Sequence, residues 1–437
     1  MIRFVLTAAA ALLLALPARA AVEIQEVTSP GGITAWLVEE HSIPFTALEL
    51  RFKGGASLDD PETRGAINLM TGLIEEGAGD LDARGFATAQ EALAARYRFD
   101  VHDDSLSVSA RFLTENRDAS IALLKSALTE PRFDPDAIER VRGQVLSGLR
   151  SDVTDPDAIA GLTFDTIAFG AHPYGSSKDG TIETVTALTR DDLVEAHARV
   201  LSLDHVYVGA VGDITAEELG VLLDELLGGL PATGGTPPAQ ADVTLTGGVT
   251  VVPFDTPQSV AIFGHKGLAR DDPDFFAAYV MNQILGGGNF SSRLMEEVRE
   301  KRGLTYGVYS YLVDKDYADL MLGRVASAND RIAEAIELIK GEWAKIAAEG
   351  VTQAELDDAK TYLTGAYPLR FDGNANIADI MVGMQMTGLP IDYIATRNDK
   401  VNAVTLEDVK RVAARLVRPE ELTFVVVGQP VGLDATN

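Results

Sequence analysis

Apolar and polar residues along the chain follow two different periods, and these periods predict its secondary structure. A period of two, as at Tyr306, Val308 and Ser310, predicts a strand. Apolar residues three or four positions apart, as at Leu294 and Val298, predict helices. Strands and amphipathic helices alternate without a regular one-strand, one-helix rhythm. This pattern is typical of an α+β sandwich, in which an antiparallel or mixed sheet carries helices mainly on one face.

The same succession of elements occurs twice. Lys-Gly-Gly-Ala-Ser-Leu-Asp-Asp-Pro at 53–61, followed by a helix, recurs as Lys-Gly-Leu-Ala-Arg-Asp-Asp-Pro at 266–273, again followed by a helix. A capped helix and a last strand that ends at Gly212 pair with the same elements ending at Gly428. The offset is 212 residues for the two prolines and 216 for the two glycines. Such a repeat predicts two homologous halves, each an α/β sandwich.

A segment without periodicity separates the two halves. Residues 228–242 are polar and rich in glycine and proline, which is typical of a linker. We therefore predict a first domain at 21–227 and a second domain at 243–437.

The stretch 284–312 has the strongest chemical pattern of the chain. Its helix has an apolar side and is expected to end at Gly303, with Arg299 emerging at the edge of the buried face. Because a strand begins just after this helix, Arg299 and Tyr306 can converge. Before the helix, a run of glycines can bring the backbone close to a ligand. We predict a substrate contact for these glycines, which are Gly286, Gly287 and Gly288.

In this stretch, Ser-Ser-Arg-Leu, Val-Arg-Glu-Lys and Gly-Leu-Thr-Tyr-Gly-Val resemble the carboxy-terminal signature of the pitrilysin and insulinase family of zinc metallopeptidases. Mitochondrial processing peptidase belongs to the same family. The resemblance implies that Arg299 and Tyr306 reach an active site and hydrogen-bond the substrate near the scissile carbonyl. It also implies that the two α+β domains face each other like a clam shell. Judged without the family, the same pair is a solvated arginine and a packed tyrosine.

The resemblance also locates the metal site, whose ligands are missing. Active members carry His-x-x-Glu-His on the helix after the first Asp-Asp-Pro, where the histidines bind zinc and the glutamate is the general base. This chain has Asn68, Thr71 and Gly72 at those positions, and the third ligand position falls at or beside Ser147 and Gly148. No two of the six histidines are four residues apart. We therefore predict no cofactor in this chain, and zinc in a partner chain.

Composition excludes several functional classes. The formal net charge of −28 argues against nucleic acid and against anionic membrane surfaces as partners. Because the chain has no cysteine, disulfides, thiolate metal sites and a cysteine nucleophile are excluded. Neither a serine nucleophile elbow nor a phosphate-binding loop is present. Peptides remain as the expected substrate class.

The amino terminus predicts export. Residues 1–20 have an early positive charge, an apolar run at 8–16 and small residues before Ala21, as in a cleaved signal peptide. The apolar run is too short to span a bilayer, and no later segment is long and apolar enough to do so. We expect a protein secreted across the inner membrane into the periplasm.

Two functions from different classes remain open. The first is a zinc-less subunit of a heterodimeric zinc metallopeptidase, inactive alone, which supplies Arg299 and Tyr306 to bind the peptide substrate and stabilise the transition state in the active site of a homologous zinc-bearing partner. The second is a structural or peptide-binding family member with no part in catalysis. The retained arginine and tyrosine favour the first, although the sequence leaves open whether the dimer is hetero or homo. A neighbouring reading frame for a secreted homologue with His-x-x-Glu-His would support it.

Overall fold

The computed structural model describes residues 23–287 and 291–436. The predicted signal peptide at 1–20 and Gly288, one of the three glycines predicted to contact substrate, lie outside these ranges. Within the described ranges, no helix is both long and apolar enough to cross a membrane.

The first half of the chain begins with three consecutive strands and then mixes helices and strands. Its strands are β1 (Gln25–Thr28), β2 (Thr34–Glu39), β3 (Phe45–Lys53), β4 (Gly77–Ala78), β5 (Leu81–Asp82), β6 (Arg96–Val101), β7 (Ser105–Leu113) and β8 (Val206–Gly212). Its helices are α1 (Ala66–Thr71), α2 (Ala83–Ala92), α3 (Arg117–Thr129), α4 (Pro135–Asp152), α5 (Pro156–Phe169), α6 (Ile182–Ala187), α7 (Arg190–Val200) and α8 (Ala216–Leu227).

The second half repeats this succession. Its strands are β9 (Gly248–Pro253), β10 (Gln258–Lys266), β11 (Val308–Lys315), β12 (Ala318–Ala328) and β13 (Thr423–Gly428). Its helices are α9 (Phe275–Gly286), the π-helix Met295–Glu300, α10 (Ile332–Glu349), α11 (Gln353–Ala366), α12 (Asn374–Met386), α13 (Tyr393–Ala403) and α14 (Leu406–Leu416).

The two halves have the same sheet topology. The first sheet has the order β1-β2-β8-β3-β7-β6, and the second has the order β11-β12-β10-β13-β9. Read from the other edge, the second sheet matches β2-β8-β3-β7-β6 strand for strand. The pairs β2 with β8 and β9 with β13 are parallel, and the other pairs in both sheets are antiparallel. The predicted α+β class with mixed sheets is confirmed.

Alternation along the strands places one face of each sheet against helices. Leu48 and Phe52 of β3 are fully buried in the first core. In the second core, Phe263 of β10 and Trp343 of α10 meet edge to face, with ring centroids 5.5 Å apart. Trp343 Nε1 donates a hydrogen bond to His265 Nε2 at 3.0 Å, so this buried histidine is a satisfied core residue.

One helix of each half lies on the sheet of the other half. Helix α5 packs on β10 and β13, where Phe164 and Val425 share a buried cluster. Helix α12 packs on β3 and β8, where Ala378 and Val211 do the same. A Cβ atom at Gly209 would lie 2.7 Å from the carbonyl oxygen of Ala378, so this close approach requires glycine. Helices do lie mainly on one face, but the exchange between halves was not predicted, because it depends on residues far apart in sequence.

The connection between the halves is fixed along its length. Residues 228–247, between α8 and β9, contain neither helix nor strand. The backbone nitrogen of Gly235 donates to Arg199 O at 2.7 Å, and that of Ala241 donates to Tyr317 O at 2.9 Å. The segment is therefore attached to both halves.

A polar cluster joins the halves beside this connection. Tyr174 donates its hydroxyl to Asp104 Oδ1 at 2.5 Å, and the backbone nitrogen of Asp316 donates to Asp104 Oδ2 at 3.2 Å. Lys315 forms an ion pair with Asp103. Packed helices and polar contacts thus hold the halves together in addition to the covalent connection.

Candidate functional site

The predicted helix of the signature stretch is present, but its hydrogen bonding is of the π type. The backbone nitrogen of Lys301 donates to Glu296 O at 2.9 Å, which is the i to i−5 pattern. Gly303 ends the unit as predicted, with φ 61° and its nitrogen donating to Arg299 O at 2.7 Å. Single-turn π segments occur frequently at functional sites.

Apolar residues fix this helix and leave Arg299 at its edge. Leu294 and Val298 are fully buried, and Met295 is nearly so. The side chain of Arg299 is 29% exposed, and its Nη1 lies 2.9 Å from Glu300 Oε1. The predicted position of this arginine, beside the buried face, is confirmed.

Tyr306 lies in the segment between this helix and β11, not on the strand as predicted. It is 93% exposed, whereas β11 begins two residues later at Val308. The neighbouring backbone is fixed, because Thr305 Oγ1 donates to Ala326 O at 2.6 Å and accepts from Gly307 N at 3.1 Å. The turn at the glycine ending the helix interrupts the alternation, and this explains why the strand starts later.

Close packing accounts for two of the three glycines before the helix. A Cβ atom at Gly286 would lie 2.6 Å from the backbone nitrogen of Ser310, so this glycine allows α9 to pack on β11. A Cβ atom at Gly287 would lie 2.6 Å from Gln283 Cα, within its own helix end. Substrate contact by Gly286 and Gly287 stays a prediction, and Gly288 lies outside the described residues.

A buried polar pair, which the sequence did not reveal, supports this region. Asn282 Nδ2 donates to Ser310 O at 3.0 Å, and Ser310 Oγ donates to Asn282 Oδ1 at 2.7 Å. Both side chains are buried, so each hydrogen bond is protected from water. The pair joins α9 to β11 and thereby holds the strand that follows Tyr306. A polar residue at an apolar position of α9 was the signal that could have indicated it.

Helix α1 occupies the place of the metal-binding helix, but its side chains do not fit zinc. Thr71 is buried and donates its hydroxyl to Ile67 O at 2.7 Å, while Gly72 offers no side chain. A Cβ atom at Gly72 would lie 3.0 Å from Val141 of α4, so these helices are in close contact. Among the described residues, no three His, Cys, Asp or Glu side chains are grouped to hold a metal ion. Asn68 alone is a poor ligand.

The start of α1 is nevertheless well formed. Asp59 accepts hydrogen bonds from the backbone nitrogens of Gly65 at 2.8 Å and Ile67 at 3.0 Å. Burial raises the pKa of the Asp59 carboxyl to about 6. The start of this helix is thus fixed by its own hydrogen bonds, although Asn68, Thr71 and Gly72 do not offer a set of zinc-binding side chains.

The chemistry of the site is that of hydrogen-bond donation. A guanidinium with permanent charge, on Arg299 in the last turn of the π-helix, and a phenolic hydroxyl, on Tyr306 just before β11, flank the turn that joins these two elements. Because Tyr306 is so exposed, its hydroxyl can reach an oxygen of another molecule.

Comparison with known sequences gives the following similarities. Residues 187–363 match the family described as the peptidase M16 inactive domain. A Helicobacter pylori protein named non-peptidase homologue YmxG is 30% identical over 390 residues, which cover 89% of this chain and 90% of that protein. An uncharacterised zinc protease of Mycobacterium leprae is 26% identical over 396 residues, which cover 89% of this chain and 88% of that protein.

Two solved structures have a fold similar to that of this chain. The peptidase M16 inactive domain from Pseudomonas fluorescens superimposes with a TM-score of 0.88 at 27% sequence identity, covering 95% of this chain and 100% of that chain. A protease from Helicobacter pylori superimposes with a TM-score of 0.84 at 18% identity, covering 93% of this chain and 100% of that chain. The second match shows a shared fold alone.

Proposed function

The chain belongs to the peptidase M16 family, and from this membership we propose that it is the zinc-less subunit of a heterodimeric zinc metallopeptidase. The family predicted from the signature stretch is thereby confirmed. The similarity of residues 187–363 is to the inactive domain, which agrees with a non-catalytic role for the chain by itself. In the proposed complex, Arg299 and Tyr306 contact the peptide substrate in the active site of the partner.

One observation carries this proposal. The positions at which active members hold zinc contain Asn68, Thr71 and Gly72, whereas Arg299 and Tyr306 are retained on a well-supported unit at the surface. A chain with no part in catalysis would not need this arginine and this tyrosine once its zinc ligands are absent.

The two residues suit stabilisation of an oxyanion. During peptide hydrolysis, negative charge develops on the former carbonyl oxygen, and one preorganised donor to this oxygen contributes about 2.7 to 4 kcal/mol. Arg299 offers two parallel donors with a permanent charge, and Tyr306 offers a neutral hydroxyl. Both donors would act on the same substrate oxygen.

The expected partner is a homologous chain that carries His-x-x-Glu-His and holds the zinc. Two chains of similar length and fold would assemble with two-fold pseudo-symmetry. The signal-like segment at 1–20 supports assembly after export, in the periplasm.

The proposal is tested by coexpressing this chain with such a homologue from the same genome. We expect the two chains to copurify, with peptidase activity that neither chain shows alone, measured on unlabelled protein digests and fluorogenic peptides. A mixture that elutes as two separate chains and gains no activity would contradict the proposal.

A second candidate function is a structural or peptide-binding role without cleavage. It is favoured by the name of the Helicobacter pylori relative, a non-peptidase homologue. In that case the chains could copurify, but substitution of Arg299 or Tyr306 would not change the turnover of the complex.

A further inference from the structure

A cavity away from the signature helix lies among the helices of the second half. It measures about 300 Å³ and is bounded by α9, α12, α13 and the turn after α11, with Arg51 of β3 at one side. This volume lies at the lower end of the range for small-ligand sites. We call it the arginine pocket, after Arg270, Arg370 and Arg397, which line it together.

The most buried of the three arginines is held in a fixed position. Arg397 is 5% exposed. Its Nη1 donates to Leu363 O at 2.8 Å, and its Nη2 donates to the hydroxyl of Tyr279 at 3.2 Å. Its guanidinium lies 4.4 Å from the ring centre of Tyr367. A buried cation of this kind is costly unless an anion compensates for it.

The other two arginines form no ion pair within the described residues, and the carboxylate beside Arg270 is that of Asp314, which accepts a hydrogen bond from the backbone nitrogen of Arg270. Arg270 stacks 4.0 Å above the ring of Phe275 and donates to Tyr393 Oη at 2.5 Å. Arg370 is exposed at the rim. Within residues 23–287 and 291–436, none of the three arginines forms an ion pair; Asp379, the acidic residue lining the pocket, pairs with Arg51 at 2.5 Å. In a chain with a net charge of −28, three guanidinium groups without an ion pair around one cavity favour an anionic ligand.

The pocket also contains a neutral donor and an apolar wall. Burial raises the pKa of the Tyr367 hydroxyl to about 12, so this group stays protonated beside the arginines. Phe276, Met384 and Leu389 line the same cavity. A ligand that fits both parts has one anionic group attached to an apolar body.

A larger cavity continues from the pocket over the outer face of the first sheet. It measures about 520 Å³ and shares Arg51 and Asp379 with the arginine pocket. Arg96 and Arg111, which line it, are direct cross-strand partners in β6 and β7. Like charges at directly opposed positions destabilise a sheet. This face therefore also favours negative groups on a bound chain.

We propose that the arginine pocket binds the carboxy-terminal residue of a peptide, with its carboxylate on the three arginines and an apolar side chain against Met384 and Leu389. The preceding residues of the peptide, acidic ones preferred, lie along the larger cavity. A guanidinium binds a carboxylate through two parallel hydrogen bonds, which explains why arginine rather than lysine lines the pocket. The inference goes beyond the proposed function, because it requires neither a partner chain nor cleavage.

The test is fluorescence anisotropy with the isolated full chain. The probe is the peptide Asp-Glu-Gly-Ser-Ala-Phe, labelled at its amino terminus, with either a free carboxylate or an amide at its carboxy terminus. We expect the amide to bind at least tenfold more weakly, and Arg370→Ala to weaken binding of the carboxylate peptide by about tenfold. Arg270→Gln is a second variant with the same expected effect. Arg150→Ala, at an exposed helical arginine that lines neither cavity, should leave binding unchanged.

Each alternative outcome overturns the proposal. If the carboxylate peptide does not bind, the pocket is not a peptide-binding site. If the amide peptide binds equally well, the acidic side chains of the peptide are recognised and its terminal carboxylate is not. Competition by 3-phenylpropanoate as tight as that of the peptide assigns the pocket to small carboxylic acids instead. Because no partner is present in this experiment, its failure leaves the role of Arg299 and Tyr306 untouched, and the loss of that role would leave the pocket untouched.

Discussion

Arg299 and Tyr306 differ in how far the rest of the chain covers them. The arginine lies beside the buried face of the π-helix with its side chain 29% exposed, whereas the tyrosine is 93% exposed. An exposed aromatic ring keeps several rotamers in solution. The arginine is thus largely positioned by its own chain, whereas in the proposed complex the tyrosine would take its final position on contact with the partner or the substrate.

We predict that Tyr306→Phe and Arg299→Ala each lower kcat of the reconstituted heterodimer by a factor on the order of 10² to 10³. Each substitution removes a donor to the charge that would develop on the substrate carbonyl, and Tyr306→Phe does so without removing buried contacts. Steady-state kinetics give the effect on turnover, and size-exclusion chromatography should show unchanged assembly.

Control variants distinguish the loss of a hydrogen bond to the substrate from the general effect of changing an exposed side chain. Arg299→Lys should rescue poorly, because lysine restores the charge without the planar fork. Arg302→Ala and Tyr362→Phe change a nearby arginine and an exposed tyrosine, and both should retain full activity. If the Tyr306→Phe complex assembles normally and keeps full activity, the pair has no catalytic role. The chain would then have the structural or peptide-binding role of the second candidate function.

Glu49 on β3 makes stability depend on pH. Its carboxylate is 5% exposed and accepts a hydrogen bond from Ser109 Oγ at 2.6 Å. Burial raises the pKa of this carboxyl from 4.5 to about 7. Between these values the folded state holds a proton that the unfolded state has lost. Stability from this group is therefore greatest at low pH and is lost as pH rises to about 7.

We predict that Glu49→Gln reduces the difference in unfolding free energy between pH 5 and pH 8 by about 1 to 3 kcal/mol. Glutamine keeps the hydrogen bond with Ser109 and carries no charge at either pH. Urea unfolding at both pH values measures the effect, with Glu225→Gln on the exposed side of α8 as control. An equal pH dependence in wild type and Glu49→Gln would show that the pKa of this carboxyl is not raised in the folded protein.

At the scale of elements, periodicity and capping residues were sufficient to predict those features that depend on residues close together in sequence. The repeated helix starts are capped as the sequence predicts, since Thr189 with Asp192 and Thr405 with Asp408 form complete capping boxes. The order of strands and helices in both halves follows from periodicity for the same reason.

Other features depend on contacts that periodicity does not contain. The π-helix packs on α10 and β11, and the late start of β11 follows the turn at Gly303. Asp104 accepts a hydrogen bond from the Tyr174 hydroxyl near the junction of the halves, and no local pattern connects these two residues. The arginine pocket combines residues as distant as Arg51 and Arg397, and no spacing rule connects them.

Helix α1 gives a prediction about metal. The unchanged chain should hold no stoichiometric zinc after dialysis, because Asn68, Thr71 and Gly72 do not supply three ligands. Asn68→His, Thr71→Glu and Gly72→His combined should remain without peptidase activity, since the third ligand is still missing. Elemental analysis and a peptidase assay check both statements.

Adding Ser147→Glu on α4 to the triple variant places a carboxylate at the position of the missing third ligand. The Gly72→His side chain must displace Val141, so the thermal midpoint of each variant should be recorded as a folding control. One tightly bound zinc per unchanged chain would contradict the prediction.

At the scale of the whole molecule, each half depends on the other for a covered sheet. Without α12, the outer face of the first sheet would expose apolar residues that include Trp36 and Val211. An exposed apolar face of this kind promotes association.

We therefore predict that residues 21–227 produced alone do not form a stable monomer. Coproduction with residues 243–437 should restore solubility and copurification, because α5 and α12 can then cover the opposite sheets. Light scattering and a pull-down with a tag on one fragment measure this. A monomeric first fragment with a cooperative unfolding transition would show that the exchanged helices contribute little.

The exchanged helices also set the order in which the chain can fold during synthesis. The first sheet has all of its strands by Gly212, yet the helix that covers its outer face ends only at Met386. Contacts between such distant segments form late. The amino-terminal half therefore remains incompletely folded until most of the chain has left the ribosome. For a protein exported as proposed, this delay keeps the nascent polypeptide in a form that a translocation channel and its chaperones can still accept.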